Sequence, residues 1–172
     1  LGSEFPSPYM LANSWNTALA GEVACAAAKD MSADGATLAI TPGAKIKISP
    51  YRMAISEDVR LSSAFASEYL KAAKKYGMAT CIRDFYLTAD EVEWMDEYPK
   101  SRFIYEYIVK PYYLASSECP YNGALVSPDV QAENYERVNR ALSSVAANDP
   151  GMGGAAPVCH KANMANTVSL IA

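Results

Sequence analysis

The sequence predicts a helix-dominated α/β fold with few parallel strands, and a mostly α chain is the alternative. Three observations carry this expectation. Over residues 15–82, helical and strand-like patterns alternate as helix, strand, helix, strand, the order that builds parallel sheets. The second half carries further helical patterns and no convincing strand. The composition, 51% hydrophobic and 20% charged over 172 residues, is that of a globular domain. Such a length suits one domain, burying about two-thirds of the surface its unfolded chain would expose. It falls short of a complete (β/α)₈ barrel, which typically takes about 250 residues.

The elements follow in order. Leu1-Gly2-Ser3-Glu4-Phe5 reads as an expression-vector remnant and is left out of the fold. A single domain is expected over residues 6–148, with a flexible linker and tail over 149–172. Ser14 is the expected N-cap of a helix over Trp15–Ala33, stopped by Asp34-Gly35, with Leu19, Val23, Ala26, Ala27 and Met31 on its apolar stripe. Ala36–Thr41 is a β-prone run closed by Pro42-Gly43. Ile46 and Ile48 alternate before Pro50 and an irregular loop. Ser56 is the expected cap of the next helix, Asp58–Tyr76, which carries Leu61, Phe65, Tyr69, Leu70 and Ala73 and stops at Gly77. Met78–Ile82 is the second strand. Thr88-x-x-Glu91 is a capping box that opens a short acidic helix to Glu97. Ser101 caps a helix over Arg102–Ser117 that Pro111 should kink or divide. Ser127-Pro128 precedes a last helix over Asp129–Ala147. The tail, Val158–Ala172, is compatible with either a short helix or a strand.

Several function classes are excluded or weakened. A net charge of −4 and a pI near 5.0 lack the basic face that nucleic acid requires. No apolar run approaches the roughly 20 residues of a membrane span. The single histidine, His160, cannot build a multi-histidine metal site, and its neighbour Cys159 is badly placed to pair with it. Cys25, Cys81, Cys119 and Cys159 form no C-x-x-C pair, so they make no zinc motif. Cys25 and Cys81 read as buried thiols. A Cys119–Cys159 disulfide is one option in a secreted chain, which the sequence leaves open together with the compartment. Nothing points to a cofactor.

A family resemblance then emerges from six segments in order. Pro6–Asn16 (PSPYMLANSWN), Leu38–Ile46 (LAITPGAKI), Ser56-Glu57-Asp58 with Leu61, Ala66–Phe85 (ASEYLKAAKKYGMATCIRDF), Ile104–Ala115 (IYEYIVKPYYLA) and Pro120–Gly123 (PYNG) resemble motifs of glycoside hydrolase family 3, the β-glucosidase type. The resemblance covers roughly Pro6 to Gly123 and implies a partial, TIM-barrel-like (β/α) remnant.

It also implies an altered active site. The family's sugar-binding Lys-His falls on Arg83-Asp84, its "GRNFE" arginine is matched loosely by Arg52, and its helix arginine falls on Tyr105. The nucleophile's Ser-Asp-Trp motif has no counterpart, because Trp15 and Trp94 are the only tryptophans and neither follows Ser-Asp. A retaining glycosidase needs two carboxylates about 5–5.5 Å apart, together with donors that grip the sugar.

The expected function is therefore a family 3-like module that has lost hydrolysis and binds a small molecule, a sugar or a protein partner. The alternative is an enzyme of another reaction class, using acid–base chemistry for a cyclisation, isomerisation or elimination. Its catalytic candidates are Arg83, Asp84, Glu57 and Asp58. The ligand-binding candidates are Arg52, Tyr86, Tyr105 and Tyr121, drawn from a chain rich in tyrosine, since tyrosine joins a flat apolar ring to a polar tip. A plainer reading of Arg83-Asp84 is a structural ion pair. The acidic run Asp90, Glu91, Glu93, Asp96 and Glu97 reads as a solvated helix face. A homodimer through the tyrosine-rich second half is expected, because an opened barrel leaves strand edges unpaired.

Overall fold

The computed structural model describes residues 4–50, 54–87, 89–95, 101–126 and 167–170. Short α1 (Pro8–Ala12) begins at Ser7, whose hydroxyl accepts the Met10 N–H. The long helix α2 runs over Thr17–Ala33. It starts two residues later than expected, because Asn16 and not Ser14 caps it, with Asn16 Oδ1 accepting the Leu19 N–H at 3.1 Å. Ser14 instead donates its hydroxyl to Leu11 O and accepts the Asn16 N–H, closing the turn between the two helices. Helix α3, Val59–Lys75, is likewise capped by Asp58, whose carboxylate accepts the Leu61 N–H at 2.7 Å, while Ser56 holds the Asp58 N–H one turn earlier. Gly35 and Gly77 close the two long helices at positive φ, where the sequence placed their stops.

Four strands form one sheet in the order β1 (Leu38–Thr41), β2 (Ala79–Phe85), β3 (Gly123–Val126) and β4 (Thr167–Leu170). The first three are parallel and β4 is antiparallel to β3. The sheet is thus the small parallel core of a partial α/β barrel. Two differences from the sequence reading matter. Strand β2 runs to Phe85 rather than Ile82, which carries Arg83 and Asp84 into the strand's end. A third parallel strand lies in Gly123–Val126, in the half of the chain where the sequence showed no convincing strand. Asn122 secures it: its Oδ1 accepts the Thr80 N–H at 2.9 Å, and its own N–H donates to Thr80 O at 2.9 Å.

Helices α2 and α3 cover one face of the sheet. The buried positions of α2 are Ala20, Ala24 and Ala28, not the stripe led by Leu19, which is exposed. Small residues let α2 approach α3 closely, and Ala24, Ala28, Ala39, Ala72, Ala73 and Met78 form an alanine-rich core there. A larger core centres on Phe65, Leu70, Ile82, Phe85, Ile108 and Tyr112. Its Phe85 and Tyr112 rings meet edge to face, with centroids 4.8 Å apart.

Between β2 and β3 lie α4 (Ala89–Trp94) and a continuous helical run made of α5 (Ser101–Phe103), a π-helical segment (Ile104–Val109) and α6 (Lys110–Glu118). Pro111 was expected to kink or divide this run, and the outcome is a change of helix type. Proline has no N–H, so Tyr107 O has no i+4 donor. Upstream the bonds widen to i+5, with the Lys110 N–H donating to Tyr105 O. Tyr107 O instead accepts the Ile46 N–H at 3.4 Å, which ties the helix to the segment after β1.

Among the described residues no helix is long and apolar enough to cross a membrane. Cys25 is a half-buried free thiol and Cys81 a buried one, whose pKa burial raises. Cys119 is buried. The Asp129–Ala147 helix, Cys159, His160 and most of the 149–172 tail lie outside the described residues, with Thr167–Leu170 a strand.

Candidate functional site

A cavity of about 190 Å³ opens over the C-terminal ends of β1 and β2, lined by residues that include Tyr9, Gly43, Lys45, Ile55, Arg83 and Asp84. In parallel sheets this end gathers chemistry, because successive strand ends and their loops converge there. The register between β2 and β3 shifts between Ile82 and Phe85, and Asp84 (φ 59) and Tyr86 (φ 70) both sit in the left-handed region. That backbone costs an L-residue roughly 1–2 kcal/mol and is tolerated where the surroundings enforce it.

Two contacts enforce it here. The Tyr112 hydroxyl lies 3.0 Å from Arg83 O and 2.7 Å from Asp84 O, so its single proton is shared between the two carbonyls. Tyr112 is fully buried, and its pKa is pushed well above the usual phenol value, first by burial and then by the nearby Asp84 charge. Gly43 closes on the same point: a Cβ there would lie 2.5 Å from Arg83 O and 2.9 Å from the Tyr112 hydroxyl. The Pro42-Gly43 turn of the sequence is thus a close backbone approach as well as a strand stop.

Arg83 and Asp84 form an ion pair, Nε to Oδ2 at 2.9 Å, and both side chains remain partly exposed to the cavity. Beneath them Lys45, nearly fully buried, donates to Glu91 Oε2 at 2.7 Å and to Tyr86 O at 2.9 Å. Glu91 is 1% exposed, so it does not belong to a solvated helix face. Glu91 is buried where Glu93 is exposed, and Lys45 comes from another segment to neutralise it. Lys45 did not stand out in the sequence, and Glu91 stood out only as part of a capping box and of a solvated acidic run. The stretch Ala44–Ile48 alternates lysine with apolar residues, so nothing in it marked Lys45 rather than Lys47 as the buried cation.

The sequence candidates separate in space. Arg83 and Asp84 line the cavity together. Glu57 and Asp58 line a second cleft of about 480 Å³, beside α1, which shares Tyr9 and Ile55 with the first. Asp58 is engaged as the α3 cap. Tyr86 and Tyr121 are buried at 2% exposure, whereas Tyr105 is 53% exposed on the π-helical segment and lines neither space. Arg52 lies outside the described residues. No cluster of three or more His, Cys, Asp or Glu among the described residues could hold a metal ion.

No family model matches the chain. Over 85 residues it is 34% identical to thermostable β-glucosidase B of Acetivibrio thermocellus, a match covering 47% of this chain and 11% of that protein. In fold it matches solved structures of β-glucosidase 3B from Thermotoga neapolitana, in complexes with glycerol, with α-D-glucose and with glucose. Each match has a TM-score of 0.56 and 23% identity, covering 67% of this chain and 17% of the other. The chain is thus similar, in sequence and in fold, to one part of the glycoside hydrolase family 3 β-glucosidases, spanning 11% and 17% of the lengths of these relatives.

Proposed function

We propose that this chain binds carbohydrate without hydrolysing it, and that the sugar site is the cavity over the ends of β1 and β2. One observation carries the reading. Among the described residues lining that cavity, Asp84 is the only carboxylate. Glycoside hydrolysis by acid and nucleophile, or by acid and base, needs two carboxylates flanking the bond, about 5–5.5 Å or about 6.5–9.5 Å apart. Glu91 is held by Lys45, and Glu57 and Asp58 face the other cleft.

The chemistry that remains suits binding. The Arg83 guanidinium supplies donors, Asp84 supplies an acceptor, and Tyr9 adds a ring at the rim. The Lys45 ammonium has three N–H groups and gives two to protein acceptors. The complexes of β-glucosidase 3B with glucose and glycerol support a polyol ligand.

The test is turnover of nitrophenyl β-glucoside and β-N-acetylglucosaminide alongside calorimetric titration with glucose. The expected result is no turnover above background, together with glucose binding that Asp84→Ala abolishes. Turnover by the wild type that vanishes in Asp84→Ala would make Asp84 a relocated catalytic group and end the reading.

A second reading, an enzyme of another reaction class using Asp84 and Arg83, is favoured by the strained backbone at Asp84, since strain of this kind collects at reacting sites. Proton exchange at a bound sugar's carbon, followed by NMR in D₂O, separates it from simple binding. The self-association expected from the second half is supported by the exposed rings of Tyr105 and Tyr107. Light scattering should show a dimer at high micromolar concentration.

A further inference from the structure

We infer that the groove between the start of α3 and the helical run from α5 to α6 is a site for a small phosphate monoester that carries a flat apolar group. The groove holds about 800 Å³, within the roughly 300–1,000 Å³ of small-molecule sites. Among the described residues it shares only Asp58 with the cleft beside α1, and none with the cavity over the strand ends. It is a separate site, and the sugar reading does not bear on it.

The charges on its wall carry the argument. Both carboxylates there are already engaged: Asp58 accepts the Leu61 N–H at 2.7 Å as the cap of α3, and Glu106 accepts from the Lys110 ammonium at 2.6 Å. Arg60, from the first turn of α3, and Arg102, from α5, are exposed on the same wall. Neither has a hydrogen bond or an ion pair among the described residues. In a chain of net charge −4, two guanidiniums without a carboxylate on one groove leave a local positive field that only an anion from outside relieves.

Two arginines select phosphate over carboxylate. A carboxylate has two oxygens and one charge, which a single guanidinium fork satisfies. A phosphate monoester has three free oxygens and close to two charges at neutral pH, enough for two forks. The apolar half of the ligand has its own surface. The rings of Phe103 and Tyr107 stand on the same wall, with centroids 4.9 Å apart and planes inclined at 49°. Tyr107 is 41% exposed, so its ring offers a flat face next to the charge.

The probe is phenyl phosphate, titrated into the full chain by calorimetry at neutral pH and low salt, beside inorganic phosphate and benzoate. Phenyl phosphate should bind about tenfold more tightly than either, equivalent to about 1.4 kcal/mol. Arg60→Gln and Arg102→Gln should each weaken it about tenfold, and the double variant should not bind it. Tyr107→Ala should bring it down to the affinity of inorganic phosphate. Lys74→Gln removes the same charge from the other end of α3 and should change nothing. Phosphate's second pKa is about 6 and arginine stays charged throughout, so affinity should rise between about pH 5 and about pH 7.5. Benzoate, ionised over that range, should show no such rise. Both arginines are exposed, so their variants should unfold at the wild-type urea midpoint. Binding that survives the double variant, or that Lys74→Gln weakens as much as the arginine variants do, overturns the site. Equal affinity for phenyl phosphate and benzoate overturns the assignment to a phosphate monoester, as does failure of phenyl phosphate to bind.

Discussion

The α2–α3 layer and the strand ends obey different rules. Between the helices, alanine meets alanine, the backbone is regular, and the buried side chains are apolar or small serines without charge. At the ends of β1 and β2, a lysine and a glutamate are buried together, and Asp84 and Tyr86, either side of Phe85, take left-handed backbone. A tyrosine hydroxyl there aims at two carbonyls at once. Close packing of small residues needs little beyond itself. Buried charge and strain persist only where several segments agree, and here Gly43 and Lys45, then Glu91, then Tyr112 come from three different stretches of chain. The contrast identifies where the fold spends stability on a site, and where it gains stability.

The sharpest way to break this contrast is Lys45→Met. It leaves the Glu91 carboxylate buried beside no cation, and stability should fall by about 3–5 kcal/mol, read from urea unfolding. The double variant Lys45→Met/Glu91→Met should recover most of that loss, since removing both partners is close to neutral. If the single variant cost no more than a surface change, the ion pair would not be the buried keystone described here.

Next in size is Ala24→Leu in the helix layer, an overpacking of the alanine seam that should cost about 1–3 kcal/mol and leave sugar affinity unchanged. An effect on affinity would show that the two regions are mechanically joined. Tyr112→Phe should be milder, about 1 kcal/mol for the lost hydrogen bonds, yet it should weaken glucose binding by releasing the Asp84 backbone.

The smallest effect is expected at Lys71. It bridges Glu68 and Glu118 on the surface, and its pKa is raised chiefly by the hydrogen bond to Glu68. The pair supports folding fully below lysine's unfolded pKa and fades as pH rises through the higher folded value. Being largely in water, it should contribute no more than about 1 kcal/mol at neutral pH, and Lys71→Ala measured in 0.5 M salt should be silent.

Much of this architecture was legible in the residues themselves. Helix α3 follows the Leu61, Phe65, Leu70 and Ala73 spacing, and Gly35 and Gly77 end their helices, because periodicity and the absence of a Cβ act locally. The similarity to β-glucosidases was legible in short motifs such as Pro120–Gly123, where Asn122 has the definite task of bonding Thr80. Caps were less legible. Ser14 and Asn16, or Ser56 and Asp58, are equally good caps on paper, and only the path of the incoming chain selects between them.

The site divided along the same line. The sequence alone placed Arg83 and Asp84 just after a strand that it ended at Ile82, and the structure carries that strand on to Phe85. The sequence could not place Lys45 against Glu91, 46 residues apart, or separate Glu57 from Asp84 into two clefts, or bury Glu91 out of an acidic run. Those outcomes depend on which segments the fold brings within hydrogen-bond distance, and a charge pays for its own burial only when a partner arrives from elsewhere in the chain. Local geometry determined the elements, and tertiary structure decided which polar groups could leave water together.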